Sequence, residues 1–186
     1  MRKIIIMGAS AALAALPVVG VFAATGTSVT DTVEVTINSS CLITSTNAAN
    51  TYSATMTNGQ LKSDFGSTEM TIACNDAGGW HVTAVGSGAA TDKTQMKASG
   101  SGTNIATGTA TGDNSPSSWA MKVTGTGAAG FTTFAAVPGS ATDVASGNGA
   151  VSGAELVTTY QVWISASQQA DTYTGQVTYT LAHPAS

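Results

Sequence analysis

Charge is scarce in this sequence. Only 9% of its residues are Asp, Glu, Lys or Arg, with six basic against ten acidic. Arg2 and Lys3 stand at the very start, and the remaining cations are Lys62, Lys93, Lys97 and Lys122. So few cations cannot neutralise a run of phosphates, which argues against nucleic acid or an anionic lipid surface as partner. Histidine is limited to His81 and His183, and cysteine to Cys41 and Cys74. Neither a G-x-S-x-G nucleophile elbow nor an H-E-x-x-H zinc motif occurs, and neither histidine has a supporting motif. The chain is therefore not expected to be an enzyme or to hold a metal or cofactor. Helical periodicity is nearly missing, and past the first 23 residues no apolar run approaches the twenty or so that a membrane helix needs.

The beginning of the chain supplies what the rest lacks. A short basic MRK precedes the apolar IIIMGASAALAALPVVGV, broken by Pro17, and Val21-Phe22-Ala23 offers small residues for cleavage before Ala24. Residues 1–23 are expected to be a secretory signal peptide, removed on export. Residues 24–186 are then a single secreted, extracellular domain without a membrane span. In an exported chain Cys41 and Cys74 are expected to pair, closing a loop of about 34 residues.

Alternation is everywhere. VTDTVEVTI puts Val29, Val33, Val35 and Ile37 on one face. TEMTIAC aligns Met70, Ile72 and Cys74, while WHVTAV aligns Trp80, Val82 and Ala84. SWAMKV aligns Trp119, Met121 and Val123. In TTYQVWIS, Tyr160, Val162 and Ile164 oppose Trp163, and YTGQVTYTL sets Tyr173, Gly175, Val177, Tyr179 and Leu181 together. Short β-branched or aromatic runs bounded by Gly, Asn, Asp or Pro are strands. Six or more of them without intervening helices predict an all-β fold, an antiparallel immunoglobulin-like β-sandwich with one disulfide. A small open barrel is the other architecture this pattern allows. The Gly/Ser/Thr-rich stretches 86–117 and 124–153 read as surface loops, the first with one or two polar strands.

Two motifs resemble chemistry and are better explained by structure. CNDAGGWH, from Cys74 to His81, groups a thiol, a carboxylate and an imidazole, but lacks the close-spaced ligand pair of a metal site. It reads as half a disulfide, a hairpin loop NDAGG and the first residues of the next strand. GTGAAG at 125–130 matches G-x-G-x-x-G, yet FTTFAAVPG follows where a helix should open, so no dinucleotide site is expected.

Two features point to function. Residues 24–37 form an amphipathic arm that can pair within its own domain or add, through Val29, Val33, Val35 and Ile37, to the open edge of a neighbouring subunit. Trp163, opposite the apolar face of its strand, is a candidate surface contact.

The run VEVTINSSCLIT, the cysteine ending a strand in MTIACNDAGGWHVTAVGSG, and the closing DTYTGQVTYTL resemble the spore-coat-U and pilin-like β-sandwich subunits of bacterial surfaces. The Tyr/Thr-rich last strand is also similar to WxL-type cell-wall-associated domains. Trp119-Ala120-Met121 departs from W-x-L, and the AHPAS tail departs from the terminal strand of a pilin. With no LPxTG-type sorting signal, covalent wall attachment is not expected. The resemblance implies a bacterial surface component, structural or adhesive, that meets copies of itself through strand edges. A non-covalent cell-wall or glycan-binding module is the alternative, with cell-wall polymer as partner.

Overall fold

The computed structural model describes residues 32–45, 52, 54–64, 66–109 and 116–184. Among these the chain is all-β, with strands β1 (Cys41–Ser45), β2 (Gln60–Lys62), β3 (Ser67–Cys74), β4 (Trp80–Gly86), β5 (Lys97–Ala98), β6 (Ala106–Thr107), β7 (Ser118–Gly125), β8 (Ala135–Ala136), β9 (Thr142–Gly147), β10 (Val151–Ile164), β11 (Tyr173–Thr174) and β12 (Val177–Ala182). Residues 37–186 make one compact unit and the residues before them another, of which 32–36 are described, without a strand and exposed.

The larger sheet runs β1-β3-β10-β7-β6, with β2 on β10 and β8 on β7. A three-stranded sheet runs β12-β4-β9, and β11 pairs with β5 alone. All pairings are antiparallel except β6 with β7. Alternation explains how the core forms. Met70 and Ile72 of β3, Val82 and Ala84 of β4, Met121 and Val123 of β7, Val144 of β9 and Leu156 of β10 meet in one apolar cluster shared by both larger sheets. Side chains of this kind contribute about 1.5–3 kcal/mol each when fully buried, and the cluster holds the sheets together.

NDAGG turns the chain, but it is not a hairpin loop. Asp76 Oδ1 accepts from the Gly78 amide at 2.7 Å and the Asp76 carbonyl accepts from Gly79 at 3.2 Å. Gly79 takes φ +105, and a Cβ there would lie 2.1 Å from the Gly147 carbonyl oxygen. The strands on either side belong to different sheets. Cys74 and Trp80 both point into the shared core, 3% exposed each, so the turn lifts the chain from one sheet to the other.

The two Gly-rich stretches are not merely surface. Within 86–117, Met96 and Ile105 are buried and form a β-bridge. Within 124–153, Phe131, Val137, Val144 and Ala145 are buried and β9 completes the smaller sheet. Small residues are required there by packing: a Cβ on Gly147 would sit 2.6 Å from Trp80 Nε1. A strand written TDVASG has little β-branched signal, which is why it reads as loop.

Cys41 and Cys74 are bonded, as the sequence implies, and face each other across the β1–β3 ladder. They lie 33 positions apart, so reduction frees a loop of that size in the unfolded chain. Reduction is expected to lower the unfolding free energy by about 2–4 kcal/mol, measured by urea melts with and without reductant. An unchanged midpoint would show that the bond does not staple the fold.

Candidate functional site

One side of the shared core is open. Among the described residues β1 is paired only with β3, and β12 only with β4, so each sheet has an edge without a described partner where β1 and β12 approach one another. Between them runs a cleft of about 1040 Å³. Its floor is Met70 of β3, Tyr160 and Val162 of β10 and Trp119 of β7; Ile43 forms one wall, Val177 and Tyr179 the other. Inward-facing residues of the edge strands, Ile43, Val177, Tyr179 and Leu181, are only half-buried, unlike the fully buried Ile72 and Val82 of their neighbours. Tyr52, Ala54, Thr55 and Met56 also line the cleft, with Met56 packed against the core cluster.

The free edge of β1 is also defined at the backbone. The Asn75 amide donates to the Ser40 carbonyl at 3.1 Å, which makes Ser40–Asn75 a hydrogen-bonded position of the ladder. The next pair, Cys41–Cys74, is then non-hydrogen-bonded, in keeping with its short Cα–Cα distance of 4.0 Å. By alternation, the N–H and C=O groups of Cys41 and Ile43 point away from β3, toward the open side. Among the described residues no strand pairs with them.

Aromatic hydroxyls bridge the cleft. Tyr160 of β10 and Tyr179 of β12 bring their hydroxyls to 3.1 Å, linking the two sheets. Tyr160 stacks on Trp119 at 6.2 Å, and the Trp119 indole donates to the Thr94 carbonyl at 2.7 Å. The Tyr52 ring lies 6.2 Å from Tyr160, with its hydroxyl bonded to the Ser67 carbonyl and, at 2.8 Å, to Thr68 Oγ1. Burial raises the pKa of Tyr160, and burial together with the neighbouring Tyr160 raises that of Tyr179 well above its ordinary value. Both phenols stay neutral, so the cleft offers neutral hydrogen-bonding groups on an apolar floor.

Asp171 is the one ionised side chain of the lining, and it is already engaged. Its carboxylate accepts from Ser99 Oγ at 2.7 Å and from the amides of Gly100, Gly102 and Thr172 at 2.7–3.1 Å. These bonds, the Ser99 hydroxyl first, hold its pKa at about 2. They clip the loop before β11 to residues 99–102. Gln168 adds to the clip, donating to the Thr103 carbonyl at 2.8 Å and to the Tyr173 hydroxyl at 2.7 Å.

The residues expected to carry function divide sharply. Val33, Val35 and Ile37 are 85%, 76% and 80% exposed, without a strand partner; Val29 lies outside the described residues. Trp163 is 4% exposed and is not a surface contact. It sits in a central strand between Leu61 and Ser118, and the outer face of the sheet is covered at this end. Ala120 on that face is fully buried, and Lys122 lies 4.8 Å over the Phe134 ring. His81 pairs in register with Ala182 and Ser146, and His183 Nδ1 stands 3.4 Å from Asp76. With Cys74 spent in the disulfide and Asp76 in the turn, CNDAGGWH is a corner of the fold.

Compared with protein families, with characterised proteins and with solved structures, the chain matches none.

Asp171 gives the clip a pH signature. Folding lowers its pKa from 3.8 to about 2, so its stabilising effect is complete above pH 3.8 and is lost as pH falls toward 2. Asp92, held low by the Thr94 hydroxyl and amide, adds to the same decline. Asp171→Asn is expected to lower Tm at neutral pH and to flatten the fall in Tm between about pH 4 and 2. Thermal melts across that range decide it, and curves of equal slope for both proteins would contradict the clip.

Proposed function

We propose that this chain is a secreted bacterial surface subunit, structural or adhesive, whose immunoglobulin-like β-sandwich lacks one strand that a second copy supplies. The observation that carries this reading is a complementarity within one molecule. An apolar cleft flanked by strand edges without partners among the described residues suits an alternating strand, and the sequence of residues 29–37 alternates, with its described apolar side chains Val33, Val35 and Ile37 exposed. Nine extended residues span about 30 Å, long enough to run along an edge strand of five or six residues. Main-chain bonds to the free groups of Cys41 and Ile43 give affinity, and side chains entering the cleft give register.

Export is supported by the leader-like first 23 residues and fits the disulfide. No helix among the described residues is long and apolar enough to cross a membrane. The neutral, hydroxyl-rich composition suits lateral contact between like subunits, since like copies of a highly charged chain would repel. Recognition of a glycan or wall polymer through Trp163 loses its support with the burial of that residue.

Deleting residues 24–37 from the exported, oxidised chain is expected to leave a folded monomer where the intact chain forms concentration-dependent oligomers, read by light scattering. Val35→Asp is expected to weaken self-association by at least about 10-fold, since one buried aliphatic side chain contributes about 1.5–3 kcal/mol. A truncated chain that assembles as before would remove the arm from the mechanism.

A further inference from the structure

The dipeptide Asn-Gly occurs twice, at Asn58-Gly59 and Asn148-Gly149. The pair has a chemistry of its own, because glycine has no Cβ to shield its nitrogen. That nitrogen can attack the asparagine side-chain carbonyl carbon and close a cyclic imide. The new bond joins the glycine nitrogen to Cγ, the Cγ–Nδ2 bond breaks, and the amide leaves as ammonia with the glycine proton. Water then opens the imide at either carbonyl, giving aspartate or isoaspartate, the latter with an extra methylene in the backbone. Water is the only co-reactant.

Both asparagines are exposed, so exposure does not separate them. Hydrogen bonding does. Asn58 Nδ2, the leaving group, donates to the Ala166 carbonyl at 2.9 Å and to the Gln168 carbonyl at 3.2 Å. The Gly59 N–H, the nucleophile, donates to the Ile164 carbonyl at 2.8 Å. Reaction there requires the side chain to leave two acceptors and the glycine nitrogen to give up a proton that is already bonded. Among the described residues neither the Asn148 side chain nor the Gly149 N–H has a hydrogen-bond partner.

The surroundings of Asn148 decide what its conversion does. Residues 148–150 carry the chain from β9 in the smaller sheet to β10 in the larger one, beside the corner at 75–79 that crosses the other way. A Cβ on Gly79 would lie 3.1 Å from Asn148 Cα and 3.1 Å from the Gly149 nitrogen, so the two crossings pack backbone against backbone. Gly149 holds φ +92, a conformation glycine adopts readily, and the turn therefore retains the reactive pair. An added backbone methylene has little room on the Gly79 side, and overpacking is relieved only by shifting neighbours.

We propose that Asn148 is a site of spontaneous deamidation, that Asn58 is protected by its hydrogen bonds, and that the isoaspartyl product at 148 loosens the packed crossing. The modification is independent of strand exchange and gives an exposed turn a negative charge as the protein ages.

The experiment incubates the intact, oxidised chain at mildly alkaline pH and maps its peptides by mass spectrometry, with isoaspartate resolved by chromatography. A parallel sample is reduced and held in urea. In the folded chain Asn148 is expected to convert at least about 10-fold faster than Asn58, because Asn58 reacts only after three hydrogen bonds open. In urea the two rates are expected to converge. Equal rates in the folded chain, or the same ratio in urea as in the fold, would overturn the proposal. The isoaspartyl fraction is expected to melt at a lower temperature than fresh protein. Asn148→Asp, which adds the charge without lengthening the backbone, is expected to melt like the wild type. Equal Tm for aged and fresh protein, or an equal loss in Asn148→Asp, would contradict the loosening of the crossing.

Discussion

β1 is five residues long and among the described residues is bonded along one edge only, and the cleft depends on how it is held. A strand this short contributes little cohesion by itself, because half its backbone groups and much of its side-chain surface remain in water. Two local constraints compensate. The Cys41–Cys74 bond removes the entropy that β1 would regain on detaching, and Asn75 continues the ladder one position further. If β1 frays, Ile43 leaves the cleft wall, Tyr160 and Met70 lose their cover, and the free edge has no fixed register. The disulfide therefore sits where the fold has least redundancy, at the margin of its unfinished core and not at its centre.

Across the cleft, β12 is held by other means. It carries no covalent tie, and its attachment is the ladder to β4, the inward row from Val177 to Leu181 and the Tyr160–Tyr179 hydroxyl pair. That pair spans from one sheet to the other, so it limits how far the walls can separate. Its neutrality matters here: ionising either phenol beside the other, on an apolar floor, would be costly, and burial has already moved both pKa values away from the working range. The Asp171 clip secures the adjoining end by satisfying its carboxylate within the chain, which leaves no ionised group seeking a partner in the cleft. Low overall charge and a cleft lined mostly by uncharged groups are two expressions of the same composition.

Much of this was legible in the residues. β3, β4, the first part of β7, the last part of β10 and the final strand all follow from period-two alternation, because each has one face in the core and that periodicity is local. The Cys41–Cys74 pairing was legible from there being two cysteines behind a leader-like start. β9 was not, since Val144-Ala145 among small residues carries almost no propensity signal, and its place depends on Trp80 needing a flat neighbour at Gly147. Trp163 misled because alternation assumes one wet face, whereas β10 is central and its outer face is covered near that residue. The cleft was invisible for a related reason. Tyr160 and Tyr179 lie on apolar faces like any core residue, and nothing within β12 says that its sheet has no further strand beside it among the described residues. Absence of a neighbour is a property of topology, and topology enters only when all strands are placed.

An open side of this kind is a liability as well as a site. Free strand edges beside exposed apolar side chains invite pairing with any extended chain, and natural β-proteins usually cover or charge such edges. Here the inward faces of β1 and β12 carry no charge, and the arm exposes Val33, Val35 and Ile37 on a single face. Exposed apolar side chains and an edge without a strand partner are therefore both present among the described residues. In the proposed exchange, filling the cleft with the arm of a second copy would close the edge, bury the arm and leave that copy's own cleft for the next. A contact of the proposed kind would be head-to-tail, and its repetition would yield a chain of subunits and not a closed dimer unless the rotation per step returned to the start. On that proposal an edge without a partner among the described residues would let subunits add one after another, with the direction set by which end of the molecule donates the strand.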